Sequence, residues 1–175
     1  MQLIPVRTAI KDFPNLLDPV RDLLREVVEQ GPYSAPELTY EDLDAKLLAA
    51  NSGWRICLND SGDLVGLIGY YNYQPIEQMA EVAIGVRSEF RGTGQSQAMA
   101  GMFLAWGLMN LNVRRINMSV LASNTASNEM AKSLGFVHEG TLRKVRFYKG
   151  QFTDINLYGW LNTDLPLPTS KEMKL

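Results

Sequence analysis

The chain has one cysteine, Cys57, and one histidine, His138, among its 175 residues. A lone cysteine excludes an internal disulfide. With a lone histidine beside it no zinc-type ligand set can be assembled, so no metal is expected. Long apolar runs are also missing. The longest one, Ala98 to Met109, covers 12 residues, against about 20 needed to span a bilayer. The start, Met-Gln-Leu-Ile-Pro-Val-Arg, lacks a basic region followed by an apolar core, so a cytoplasmic location and no membrane partner are expected. No dense Lys/Arg tract occurs, which argues against nucleic acid as a partner.

What is present is the composition of an ordinary globular domain, with 46% apolar and 21% charged residues, and one domain is the expectation for this length. The net charge of −2 hides an asymmetry: residues 1–90 carry 14 acidic and 7 basic side chains, residues 91–175 carry 5 and 10. The basic half suits an anionic ligand and the acidic half a cationic one, although ordinary solvated surface accounts for the pattern equally well.

Patterning along the chain predicts alternating elements. Leu3 to Thr8 reads as a first strand. Residues 11–29 are apolar at helical spacing (Leu16, Leu17, Val20, Leu23, Leu24, Val27, Val28), with Asp18-Pro19 marking a helix start. Gly31 to Pro36 reads as loop, and Thr39 as the N-cap of a helix running to Ala50, with Glu41 and Asp42 in its first turn. Three antiparallel strands follow, Trp54 to Leu58, Leu64 to Tyr71 and Ala80 to Val86, the first two joined by the turn Asn59 to Asp63. Then come a helix from Gln97 to Leu111, apolar nearly all round, a strand from Arg114 to Leu121, a helix over 125–134, and a hairpin of Phe136 to Tyr148 with Phe152 to Trp160. Residues 1–163 form the expected domain, and residues 164–175, with Pro166 and Pro168, the expected flexible tail.

The most informative stretch is Val82-Ala-Ile-Gly-Val-Arg-Ser-Glu-Phe-Arg-Gly-Thr-Gly-Gln-Ser-Gln97. A strand, a glycine turn and a helix N-terminus in that order converge backbone N–H groups and favour an anion. Gly92 and Gly94 let the backbone approach a phosphate without a Cβ in the way. A Walker-type loop fails, because Gln95 and Ser96 follow Gly94 where Lys and Ser/Thr are required. A dinucleotide fingerprint fails too. Gln97 stands at its third glycine, and no acidic residue occurs between Glu89 and Glu129. Arg91-Gly92-Thr93-Gly94-Gln95-Ser96 instead resembles Arg/Gln-x-x-Gly-x-Gly/Ala, the acyl-CoA pyrophosphate loop of the GNAT superfamily of N-acetyltransferases. Downstream, Asn124-x-x-Ser127 and Leu134-Gly135-Phe136-x-x-Glu139-Gly140 resemble the other half of that site, and Gly150 to Asp154 with Tyr158 resembles the last hairpin of its Rim-type branch. These blocks cover Glu81 to Trp160.

The resemblance implies an α/β (α+β) single-domain GNAT fold, a central mixed and mostly antiparallel sheet of about seven strands flanked by about four helices. It implies acetyl-CoA as co-substrate and direct attack by a primary amine in a ternary complex. A protein N-terminal amine is the first choice of acceptor; a polyamine or aminated small molecule is the alternative, and a non-catalytic acyl-CoA-binding module is the rival from another class. In this reading the backbone from Arg91 through Gly92, Thr93, Gly94 and Gln95 to Ser96 holds the pyrophosphate, Ile84 and Val86 offer main-chain groups to the pantetheine arm, and the Val86 N–H is the oxyanion donor. Asn124 positions pantetheine or a water. Many members place a Tyr seven residues after that Asn; here Ala131 stands there, so Ser127 is open between serving the sulfur and capping a helix. Glu139 is favoured as the general base and Glu81 is the alternative. A monomer or homodimer is expected.

Overall fold

Seven strands and five α-helices make up the residues that this computed structural model describes, 1–29 and 38–163. The strands are β1 (Gln2–Pro5), β2 (Gly53–Leu58), β3 (Leu64–Gln74), β4 (Met79–Val86), β5 (Arg115–Leu121), β6 (Val137–Tyr148) and β7 (Gln151–Leu161). The helices are α1 (Val6–Asp12), α2 (Leu17–Glu29), α3 (Tyr40–Leu47), α4 (Gln95–Asn110) and α5 (Thr125–Ser133). The strands make one sheet in the order β1-β2-β3-β4-β5-β7-β6. Every pairing is antiparallel except β4 with β5.

Local chemistry accounts for most boundaries. Thr39 caps α3 in a reciprocal box with Asp42, its hydroxyl accepting from the Asp42 N–H at 3.2 Å while Asp42 Oδ2 accepts from the Thr39 N–H at 2.9 Å. The β2–β3 turn is closed by Asn59, whose Oδ1 accepts from the N–H groups of Ser61 (3.0 Å) and Asp63 (2.9 Å). One predicted element is corrected. The strand expected over Leu3 to Thr8 ends at Pro5, and α1 begins at Val6. Tertiary burial wins there, since Val6 and Ala9 turn inward as helix residues to join the core beneath α2 and α3. This short helix also raises the helix count from about four to five among the described residues. The expected loop Gly31 to Pro36 and the expected tail 164–175 lie outside the described residues.

The sheet has a core on each face. One joins Val65, Ile68, Val82, Met118 and Val120 to α4 and α5; the other joins Leu67, Trp54 and Ile56 to α1, α2 and α3. Alternation along β4 therefore sends Ala80, Val82, Ile84 and Val86 towards α4 and α5, and Glu81, Ala83 and Gly85 towards α2. A Cβ on Gly85 would stand 2.9 Å from Val27 Cγ2 and 3.2 Å from the Leu23 carbonyl oxygen, so the glycine is what lets α2 lie directly on the sheet.

Candidate active site

The site is a gap in the sheet. The β4–β5 ladder holds only three pairs, Met79↔Arg115, Ala80↔Ile116 and Glu81↔Asn117. Past Glu81 the two strands part, and residues Val82 to Val86 face Met118 to Val120 across a cavity of about 990 Å³. The Arg87 N–H bonds to the Val65 carbonyl at 3.0 Å. By the antiparallel alternation, odd-numbered β4 residues turn their main-chain groups to β3, and Val82, Ile84 and Val86 turn theirs to the gap. A substrate arm carrying amides can pair with such an open edge.

At the far end of β4 a 3-10 turn, Ser88–Phe90, leads to the glycine loop. Gly92 (φ 74°) and Gly94 (φ 82°) both adopt the left-handed conformation, and a Cβ on either would meet nothing within 4 Å. Gly94 is the N-cap of α4, with no side chain bonding the first turn and no acidic residue in it. The first N–H groups of a 16-residue helix are thus left for an external anion. Arg91 is anchored rather than loose. Its Nε donates to the Val86 carbonyl at 2.8 Å and its Nη2 to Glu26 on α2 at 2.6 Å, tying the loop, β4 and α2 together. Thr93 braces the turn through its hydroxyl, which donates to the Phe90 carbonyl at 2.8 Å.

The opposite wall is the N-terminus of α5. Asn124 is its N-cap and accepts from the Ser127 N–H at 3.1 Å. The capping role that the sequence left open between the two residues falls to Asn124, and Ser127 lines the cavity with it. Sequence reasoning missed the residue that holds this wall in place, Asn128. It is 6% exposed, and its Nδ2 donates to the carbonyls of Leu121 (2.9 Å) and Asn124 (2.7 Å). Its Oδ1 accepts from Asn156 Nδ2 (2.8 Å) and Tyr158 Oη (2.8 Å). All four hydrogen-bonding positions of the amide are filled. The available signal was an Asn inside a helical segment, a residue disfavoured there unless its side chain has partners.

The two candidate bases separate. Glu139 falls between the pairs His138↔Tyr158 and Gly140↔Leu157, where a register shift turns it onto the sheet face over Gly159. There both Nη atoms of Arg115 donate to its carboxylate, one at 2.9 Å. This guanidinium holds the Glu139 carboxyl below its ordinary range, and neither Glu139 nor Glu81 is itself among the cavity's lining residues. An ion-paired carboxylate of lowered pKa is a poor proton acceptor near neutrality, which weighs against the preference for Glu139 as base. Glu81 occupies the last paired position before the strands part. It accepts from Asn72 Nδ2 at 3.0 Å, and Asn72 itself lines the cavity. Ala131 is fully buried in the core beneath α5, so its position offers the cavity no acid.

A sheet opened between a parallel pair above a glycine-loop helix N-terminus is the architecture of the acetyltransferase domain. The profile described as Acetyltransferase (GNAT) domain matches residues 3–137, and the chain belongs to that family. Domains of this kind use acetyl-CoA, and the open β4 edge and uncapped α4 terminus fit its amide-bearing arm and its pyrophosphate. Among curated relatives, the chain is 29% identical over 105 residues to the uncharacterized N-acetyltransferase YoaA of Bacillus subtilis, covering 60% of this chain and 59% of the relative. It is 28% identical over 97 residues to the ribosomal-protein-serine acetyltransferase of Escherichia coli, covering 55% of this chain and 54% of that one. The chain thus spans less than two thirds of the length of these relatives. Among solved structures, the spermidine N-acetyltransferase of Vibrio cholerae in complex with CoA and spermine superposes with a TM-score of 0.76 at 20% identity, over 86% of this chain and 92% of that one. At that identity the likeness is one of fold. Among the described residues, no helix is long and apolar enough to cross a membrane.

Proposed function

We propose that the protein is an acetyl-CoA-dependent N-acetyltransferase acting on a primary amine, with a protein N-terminal amine as the acceptor. The observation that carries this reading is the parting of β4 and β5 immediately after Glu81↔Asn117, above a glycine loop whose helix N-terminus has no cap of its own. The likeness to a ribosomal-protein-serine acetyltransferase supports the N-terminal acceptor. A polyamine acceptor is the second reading, favoured by the fold shared with an enzyme solved with spermine.

When bound, acetyl-CoA supplies an acetyl group activated as a thioester. The chain's own groups do the rest. Main-chain N–H groups from Gly92 to Ser96 hold the pyrophosphate, and Ile84 and Val86 hold the pantetheine arm from the open strand edge. The Val86 N–H stabilises the developing oxyanion, a contribution of about 3 kcal/mol for a donor of this kind. Glu81, oriented by Asn72, takes the ammonium proton through water, and the Ser127 hydroxyl hydrogen-bonds the departing sulfur. The test is thiol release from acetyl-CoA with a panel of peptides and polyamines. Glu81→Gln should lower turnover by about 10²-fold with acetyl-CoA affinity unchanged, and Ser127→Ala should lower turnover without lowering the melting temperature. Acetyl-CoA binding without thiol release for any amine would leave a binding module in place of an enzyme.

A further inference from the structure

The cavity extends past the parted strands to a wall built by α2, α3, β2 and β3, and the make-up of that wall bears on the acceptor. Leu24, Val28, Leu38 and Ala83 line it beside Trp54 and Tyr71. The two aromatic rings lie parallel within 1°, their centroids 6.5 Å apart. The polar groups there are the uncharged side chains of Asn51, Ser52 and Asn72. Charge is balanced. The lining carboxylates among the described residues, Glu26 and Glu129, are each ion-paired, with Arg91 and Lys132, and Lys46 adds a cation rather than an anion.

A polyamine brings a second ammonium into the pocket beside the one that reacts. Taking it out of water is unfavourable unless a carboxylate meets it. Among the described residues the wall itself presents apolar carbon and aromatic faces, and the nearby Glu81 carboxylate, held by Asn72, is the group assigned to the reacting ammonium. Resting on the N-terminal reading above, we infer that the acceptor is a polypeptide whose first residue carries a bulky apolar side chain such as Leu, Met or Phe. That side chain packs between α2 and the Trp54–Tyr71 face, while the amides of Asn51 and Asn72 and the hydroxyl of Ser52 meet the peptide backbone that follows. Burying such a side chain favours its peptide over an alanine-initiated one by roughly ten- to a hundredfold.

The experiment is kcat/KM for a series of peptides differing only in the first residue (Phe, Leu, Met, Ala, Ser, Asp, Lys), with spermidine alongside. Peptides beginning with Phe, Leu or Met are expected to exceed the Asp and Lys peptides and spermidine by at least about tenfold. Val28→Glu, which places a carboxylate on a partly exposed turn of α2, should reverse the order by lowering the Phe peptide and raising spermidine and the Lys peptide. Far-ultraviolet circular dichroism confirms that the variant is folded. Two results overturn the inference and leave acetyl transfer standing: spermidine or the Lys peptide preferred by the wild type, or first-residue preference unchanged in folded Val28→Glu. Absence of thiol release with every amine would instead bring down the enzymatic reading and this inference with it.

Discussion

Replacing Asn128 with Leu tests whether the α5 wall is held by one buried amide. Leu has the same number and branching of side-chain heavy atoms as Asn but is bulkier, so the change removes polarity and adds some volume at a tight site. The two carbonyls that Asn128 Nδ2 serves keep backbone partners, Leu121 O from the Asn124 N–H (2.9 Å) and Asn124 O from the Asn128 N–H (3.1 Å). Their loss is therefore the net value of two ordinary bonds, about 1 kcal/mol each. The Asn156 amide is half-buried and recovers water. The Tyr158 hydroxyl cannot, because Tyr158 is 2% exposed, and its orphaning adds about 1–3 kcal/mol. The total is about 4 kcal/mol, a fall in melting temperature of roughly 8–16 °C for a chain of this size. Urea unfolding of the wild type, Asn128→Leu, Tyr158→Phe and the double variant gives the decisive comparison. Tyr158→Phe alone should cost about 1 kcal/mol, yet in the Asn128→Leu background it should be neutral or stabilising, since it then deletes an orphan. Equal costs in both backgrounds would refute the reasoning.

Glu139→Gln should leave turnover at neutral pH near the wild-type rate and lower stability by less than about 1 kcal/mol, the pair being partly exposed. Because Arg115 holds the carboxyl below its ordinary value of 4.5, the pair's contribution is present above that value and is lost as pH falls through the lowered one. Denaturation of both proteins from pH 7 to pH 3 should show their stability difference shrinking with acid, and a large loss of turnover at neutrality would return the base role to Glu139. Ala131→Tyr should give no rate gain and should destabilise by about 1–3 kcal/mol, since a phenol has no room at a fully buried position. A faster, equally stable variant would mean that the site lacks only its acid. Cys57 is fully buried, with its thiol pushed up to about 11 by burial, so the native protein should be inert to a disulfide titrant that counts one thiol after denaturation.

Much of the site was legible because its parts are local. A β-branched run, two glycines and an apolar helix are neighbours in the chain, and their backbone demands are met within a few residues of each other. The same holds for Thr39 as the cap of α3, whose bond to Asp42 spans three residues; at Asn124 and Ser127 the sequence showed a cap but not which residue makes it. The start of α1 was not legible, because Val6 and Ala9 are helical to reach a core assembled from segments far along the chain.

The sequence by itself therefore determined the order of elements apart from α1, the glycine loop at the start of α4, and the family resemblance that ties Gly92 and Gly94 to Asn124. Tertiary structure alone shows how differently the two candidate carboxylates are placed. In the chain the Glu-Gly motif favours Glu139 over Glu81, yet β5, β7 and β6 bring Arg115 to Glu139 across 24 residues, while Glu81 stands at the last pair of the β4–β5 ladder. The physical reason is register. A one-residue shift in a strand moves a side chain to the other face of the sheet, and no local propensity encodes where a ladder between distant strands slips or stops.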